Sequence, residues 1–326
     1  MAVHIFAVSE ENYQLCTRHG LVGLPEPKEG RSRNNIFDGL LSRLAAIREN
    51  DYILMYIIGG AKELRGVWQA EGVPFYDTAP IWADRIYPFR CKIKWSQYNF
   101  ENAIKLNDIS DLRSSGQIWT WALQRSSGQN AMFSISDAEF RILLSEYMKK
   151  NPFTLNKNII REPYPVHESN VVEQIHFERG QPQYEFSIMA LLINSFANGE
   201  YTDIFGNYSD YLSYVPTNLG TEMDILLMFE NPFNQEEIAS YDIIEVKRAE
   251  FDEKALIQLI GYESWFLQKK VSGDLNMVRT TAIAKSFSEV VIDYVRKRKM
   301  FENKPIKLLT YNYNTQKKQL ELHSVI

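Results

Sequence analysis

Two cysteines, Cys16 and Cys91, are all that the 326 residues contain, and they lie far apart in the chain. That excludes a disulfide framework and a thiolate zinc site, and leaves two buried free thiols as the expectation. No stretch approaches the roughly 18 to 20 uninterrupted apolar residues that a bilayer crossing needs. The N-terminus, MAVHIFAVSEEN, lacks a basic region followed by a long apolar run, so a cytoplasmic protein with no membrane partner is expected. Excess basic charge is missing too. A formal net charge of −5 argues against a chain that coats nucleic acid over its whole surface, while leaving room for a local basic groove.

What is present is apolar. A hydrophobic fraction of 45% over this length suffices for packed cores and exceeds the usual size of one domain, so two domains are expected. The first half opens with the strand HIFAVS and a helix, ENYQLCTRHG, ended by Gly20. After the loop GLPEPKEGRSRN come the helical IFDGLLSRLAAIREN and a buried strand, DYILMYIIGG. RGVWQAEG and YPFRCKIKW follow as strands, which predicts a small, strongly twisted β barrel with helices packed on it. A further helix, SDAEFRILLSEYMKKN, stops at Pro152. The polar, proline-broken stretch around REPYPVHES suits a linker. The expected division is 1–150, a linker over 151–170, and 171–326.

Beyond the linker, YEFSIMALLINSFANG reads as a helix, followed by an irregular tyrosine-rich stretch. Two strands, GTEMDILLMFE and YDIIEVKRA, are joined by a loop containing Pro232. The helix EKALIQLIGYESWFLQKK and the strands MVRTTAIA and IKLLTYNYN complete an α/β pattern. In YDIIEVKRA, Glu245 and Lys247 are two apart and share a strand face, while Ile244 and Val246 point the other way. Pairing with the preceding strand brings Asp224 beside Glu245. Two carboxylates and the Val246 carbonyl form a hard-oxygen set suited to Mg²⁺, or Mn²⁺ in its place. Lys247 then orients or deprotonates a water, or stabilises the phosphoryl oxyanion. The same E-x-K pattern also fits an exposed, salt-bridged strand. The loop NPFNQEEIAS leaves the register of the two strands open.

With this pattern followed by Gln258 and Tyr262, the stretch from Glu185 to Tyr262 resembles the PD-(D/E)XK nucleases, in particular the RecB-like branch. It also resembles the nuclease domain of archaeal mismatch endonucleases. The resemblance implies a restriction-endonuclease-like α/β domain with a mixed central sheet, Asp224 and Glu245 as metal ligands, and Lys247 acting on the nucleophile. It adds a first-helix glutamate, for which Glu185 fits best and Glu168 and Glu173 compete. Gln258 and Tyr262 share a helix face, and order the site or touch the DNA backbone. A polar residue and an aromatic at a helix edge is the other reading.

From HIFAVSEENYQLC to YPFRCKIKW, and again in LQRSSGQNAMFSIS, the first 150 residues resemble the EVE domain, a relative of the YTH and PUA modules. This implies a PUA-like barrel that receives a modified base in an aromatic cage, the cost of flipping being offset by stacking. Trp68 and Trp82 are candidate walls, with Tyr13 and Tyr76 behind them and Ser9 at the base edge. Each of these aromatics equally fits a core position. Arg31, Arg33, Asn34 and Asn35 are candidates for phosphate contact. So are Arg296, Lys297 and Arg298 in VRKRKMFENKPIK, a run that also fits a solvated helix end. The two resemblances together imply a modification-dependent DNA endonuclease of host defence, a restriction enzyme that reads a modified cytosine and cuts nearby, as a homodimer for double-strand breaks. A repair or mismatch endonuclease is the second reading. An inactive binder of modified RNA is the third.

Overall fold

A computed structural model describes residues 2–98, 100–123, 131–154 and 161–325. It divides into two compact units, Met1–Ile175 and His176–Ile326. Residues 124–130, inside the segment expected to close the first domain, and 155–160, inside the expected linker, lie outside the described residues. Among the described residues no helix is long and apolar enough to cross a membrane.

The first unit runs β1 (Val3–Val8), α1 (Glu10–His19), β2 (Leu21–Leu24), α2 (Arg33–Leu44), β3 (Tyr52–Ile57), β4 (Glu63–Tyr76), β5 (Phe89–Trp95), β6 (Ile104–Lys105), α3 (Ser110–Ser114), α4 (Trp119–Leu123), β7 (Met132–Ile135), α5 (Asp137–Lys150) and β8 (Ser169–Asn170). Local chemistry sets these bounds. Ser9 caps α1 by accepting from Asn12 N, and Gly20 ends it in the left-handed region, its N–H bonded to the Cys16 carbonyl. Ser136 and Glu139 form a capping box that starts α5.

The strands order as β2-β5-β4-β3-β1-β7, with β6 and β8 both on β4. No ladder joins β2 to β7 among the described residues, so the sheet is open and the expected closed barrel is not present. The two edge strands, β2 and β7, are only four residues long each, and they pair with β5 and β1 alone. Val3, Ile5, Leu54, Val67, Phe133 and Leu143 form the core on one face.

The stretch read as a linker is bound to this unit over its described part. Glu162 N donates to the Arg18 carbonyl, Arg161 pairs with Glu71, and Ser169–Asn170 pair with Tyr76 and Phe75. Its prolines suit an extended segment lying on a surface as well as they suit a free one.

The second unit contains β9 (Phe177–Glu178), β10 (Gln181–Pro182), α6 (Glu185–Ala197), α7 (Thr202–Phe205), β11 (Asp210–Pro216), β12 (Glu222–Asn231), β13 (Asn234–Val246), β14 (Glu250–Phe251), α8 (Glu253–Lys269), β15 (Val278–Ala284), β16 (Ser286–Phe287), α9 (Glu289–Glu302), β17 (Ile306–Asn314) and β18 (Gln319–Ser324). Its main sheet is mixed, in the order β11-β12-β13-β15-β17-β18. β12 pairs antiparallel with β13, and β13, β15 and β17 run parallel. The tyrosine-rich stretch expected to be irregular contributes β11, whose residues Asp210–Pro216 are buried at all but one position. The segment expected to be a loop before YDIIEVKRA is strand instead: Asn231 pairs with Asn234 across Pro232 and Phe233, with a bulge near Glu230 absorbing the mismatch.

Asp242, on β13, is 2% exposed and accepts from Thr281 Oγ1 at 3.0 Å. Burial pushes its carboxyl up to about 6, against the opposing pull of Arg279, Thr281 and Lys307. The unfolded value lies near 3.9. Below about pH 4 both states hold the proton and the group is neutral to stability. As pH rises from about 4 to 6 the unfolded chain ionises first, so stability is lost, and above about 6 a cost of about 3 kcal/mol remains. Asp242→Asn is therefore expected to stabilise the chain by about 2–3 kcal/mol at pH 7.5 and hardly at all at pH 4. Urea unfolding at the two pH values checks this, and an equal shift at both would refute it.

Candidate active site

One hairpin carries the chemistry. Ile225 pairs with Ile244, so the antiparallel register sets Asp224 opposite Glu245. The amide of Val246 donates to Asp224 Oδ2 at 2.7 Å. Lys247 Nζ donates to Glu245 Oε1 at 2.6 Å and to the Val246 carbonyl at 3.1 Å. It also lies 3.5 Å from Oε1 of Glu185, the first residue of α6. Glu185 Oε2 accepts from Arg248 N at 3.4 Å. Asp224, Glu185, Glu245 and Lys247 thus converge at one end of β13. Glu168 and Glu173 fall in the first unit, and Glu168 pairs there with Lys92 at 2.5 Å.

The electrostatics are those of a site short of positive charge. Burial, then the neighbouring charge of Glu245, raises the Asp224 carboxyl well above the usual range. Burial also raises Glu245, against the pull of Lys247. Burial disfavours the Lys247 ammonium, but Glu245, Asp224 and Glu185 outweigh it and hold the proton more firmly than usual. Glu245 is fully buried, and its Oε2 has no hydrogen-bond partner among the described residues. An orphaned anionic oxygen of this kind is costly unless a cation meets it. Among the described residues no group of three or more His, Cys, Asp or Glu is arranged to hold a metal ion. Glu185 does not join Asp224 and Glu245 in one, because Lys247 stands between. The donors that fit a hard cation are therefore Asp224, Glu245 and the Val246 carbonyl, with water for the rest, which suits Mg²⁺ better than a fully caged ion.

Gln258 and Tyr262 are joined as their spacing requires. Gln258 Nε2 donates to the Tyr262 hydroxyl at 2.7 Å, and that hydroxyl donates to the Glu222 carbonyl at 2.7 Å. Tyr262 is 1% exposed, so it touches no DNA in this arrangement. Its work is to tie α8 to β12 two residues before Asp224. Sequence reasoning passed over Lys285 and Tyr311. Lys285 N donates to the Ala249 carbonyl, and the Tyr311 hydroxyl donates to the Arg248 carbonyl at 2.6 Å. Both brace the chain just after Lys247, Tyr311 from β17 and Lys285 from the residue that follows β15. Only the strand order reveals them.

The basic run from α9 into β17 divides. Arg298 is 7% exposed, its guanidinium 2.6 Å from Glu263, and Lys304 meets the same carboxylate at 2.7 Å. Lys307 donates to the Ile204 carbonyl at 2.6 Å. These three serve the fold, which corrects the expectation of Arg298 as a DNA contact. Arg296 is exposed, and Lys297 pairs with Asp293 at 2.7 Å.

In the first unit the expected cage is not assembled. Trp68 is fully buried and stacked on Trp95. Trp82 is 5% exposed, packed on Tyr87 and beneath Arg90, which itself forms a fully buried ion pair with Asp77. Neither tryptophan has a free face. Tyr76 packs on Phe37 and Phe89, and the Ser9 hydroxyl is engaged as the cap of α1. Tyr13, half-buried, lies under the Arg65 guanidinium. Arg33 is neutralised by Glu26 and Glu29. Arg31 is exposed, and Asn34 and Asn35 are half-buried in the first turn of α2.

No family model matches the chain, and no curated protein does. Among solved structures it is similar to a complex of EndoMS with double-stranded DNA, at 17% identity and a TM-score of 0.23 over 31% of this chain and 37% of that one. A repair endonuclease from Pyrococcus abyssi gives 18% and 0.26 over 36% and 46%. Rpa0253 from Rhodopseudomonas palustris gives 11% and 0.31 over 45% and 93%. The chain spans less than half the length of the first two, and scores this low establish no shared fold.

Proposed function

We propose that the second unit is a metal-dependent endodeoxyribonuclease of the PD-(D/E)XK type, directed by the first unit to DNA that carries a modified base, a modified cytosine. One observation carries the nuclease reading: Asp224, Glu245 and Lys247 meet on a single hairpin, with a buried carboxylate oxygen of Glu245 left without a partner among the described residues. Asp224, Glu245 and the Val246 carbonyl would hold the cation. When bound, such a cation makes an attacking water more acidic and offsets charge on the phosphoryl oxygens. Lys247, its ammonium surrounded by carboxylate and carbonyl oxygens, is suited to stand as a fixed positive charge beside the scissile phosphate. Tyr262 and Gln258 hold the strand that presents Asp224. With one such centre among the described residues, a pair of chains would serve to cut both strands.

The test is incubation of the full chain with duplexes that differ only in cytosine modification, with Mg²⁺ or Mn²⁺ supplied. Cleavage of the modified duplex, abolished by a chelator, is expected. Cutting confined to mismatched, unmodified duplex would replace the modification reading with a repair one. No hydrolysis of any duplex with either metal would sink the nuclease reading.

A further inference from the structure

Helix α9 buries Val291, Val295 and Arg298 against the fold. One of its exposed flanks is not what water alone would select. Val290 is 58% exposed, Tyr294 36% and Phe301 78%. With the exposed Lys297 they recur at steps of four, three and four residues, the spacing that keeps side chains in one stripe. Single apolar residues scattered over a surface need no explanation, but a stripe of them along one helix flank marks a contact.

The order of the stripe says what the contact is. Val290 and Phe301 are equally far from its midpoint, and so are Tyr294 and Lys297. A two-fold axis at that midpoint lays a second α9 antiparallel on the first, each residue meeting its mirror position. Val290 then faces the partner's Phe301, an apolar pair, and Tyr294 faces the partner's Lys297, a ring against a cation. The charges agree. Glu289 and Asp293 lie toward the start of the helix, and Arg296, Lys297 and Lys299 toward its end, a distribution that complements itself only when two copies run in opposite directions. Asp293 pairs with Lys297 at 2.7 Å, both side chains well exposed. An ion pair so open to water contributes little within one chain, and in the antiparallel arrangement each carboxylate gains the partner's ammonium.

We propose that a second copy of this chain docks on this flank, α9 against α9 about a two-fold axis. The use of such a pair in cutting both strands rests on the reading of the second unit as a nuclease, whereas the surface itself does not. One helix flank is smaller than the interface of a permanent dimer, so the pair is weak, with a dissociation constant on the order of 10–100 μM.

Sedimentation equilibrium of the full chain without DNA or metal, from about 1 to 300 μM, is expected to show monomer and dimer. Phe301→Glu and Tyr294→Glu, both at exposed positions, should each weaken the dimer about tenfold or more. The antiparallel arrangement is read separately by cross-linking. Val290→Cys chains mixed with Phe301→Cys chains should form an interchain disulfide on mild oxidation. Neither should do so alone, since like positions then stand about 16 Å apart along the helices. The native thiols, Cys16 and Cys91, are buried. A chain that stays monomeric up to about 300 μM overturns the proposal, as does a dimer that survives Phe301→Glu unchanged and gives no mixed cross-link. So does a folded Phe301→Glu chain that pairs as before and holds DNA more weakly, which would make the flank a nucleic-acid contact. Pairing through α9 in a chain that hydrolyses no duplex supports the surface and rejects the nuclease reading alone.

Discussion

Asp224→Asn and Glu245→Gln are each expected to lower the rate of duplex cleavage by about 10³-fold or more, since each removes a charged donor from a cation worth several kcal/mol to the reaction. DNA affinity in the absence of metal should change little. Neither variant should unfold the chain. In the folded state both carboxyls are held above their usual range by burial, so a neutral amide of the same shape relieves a cost, which offsets the anionic partner that Lys247 loses. The Asp224→Asn side chain keeps an oxygen for the Val246 amide, which the buried end of the hairpin requires. Single-turnover cleavage beside a thermal melt separates the two effects. A melting temperature at or above that of the parent chain, with cleavage lost, supports the assignment. Unchanged cleavage by either folded variant would move the active site elsewhere.

The second large effect belongs to stability. Arg298→Ala is expected to destabilise the chain by about 3–5 kcal/mol, because it strips Glu263 of its main buried partner. The two are 2.6 Å apart with side chains 7% and 3% exposed. Arg296→Ala, two residues earlier and exposed, should stay within about 0.5 kcal/mol. Pairing Arg298→Met with Glu263→Gln should recover part of the loss, since the buried carboxylate is removed with its partner, and only part because Lys304 then loses the same carboxylate. Denaturant unfolding of the four chains measures this. If Arg298→Ala were as stable as the parent and instead bound DNA more weakly, the residue would be a phosphate contact after all.

That contrast shows what the sequence can carry. Glu245 and Lys247 were legible because strand side chains alternate strictly, so two residues of separation fix a shared face wherever the strand lies. Arg298 reads instead as a DNA contact, although the same kind of pattern is there. It follows Val291 and Val295 at helical spacing on the buried face of α9, a periodicity hidden by the density of surrounding charge. Tyr262 was found by its spacing to Gln258, yet its role depends on the Glu222 carbonyl, forty residues away, which no local pattern announces. Tryptophan gives least. Trp68, Trp82 and Trp95 offer the same aromatic signal, and only the sheet order decides that Trp95 borders open space while Trp68 backs it. The open sheet of the first unit has the same origin: closure depends on whether the edge strands β2 and β7 meet, and no local pattern in either announces its partner.

The two-residue turn at Pro232–Phe233 bears on how the centre comes into being. Asp224, Glu245 and Lys247 all lie at the open end of the hairpin it closes, so their meeting requires one hairpin to zip up from a two-residue turn, an event of rapid kinetics. The neighbouring parallel strands must be reached across whole helices, which is slow by comparison. The reactive groups are thus juxtaposed by one of the quicker steps available to this unit. Their burial, and with it the raised affinity of Glu245 for its proton, waits on β15 docking beside β13. The Val246 amide, bonded to Asp224, is a natural clock for the first event, and pulsed hydrogen exchange during refolding would read protection there ahead of the amides of β15 and β17.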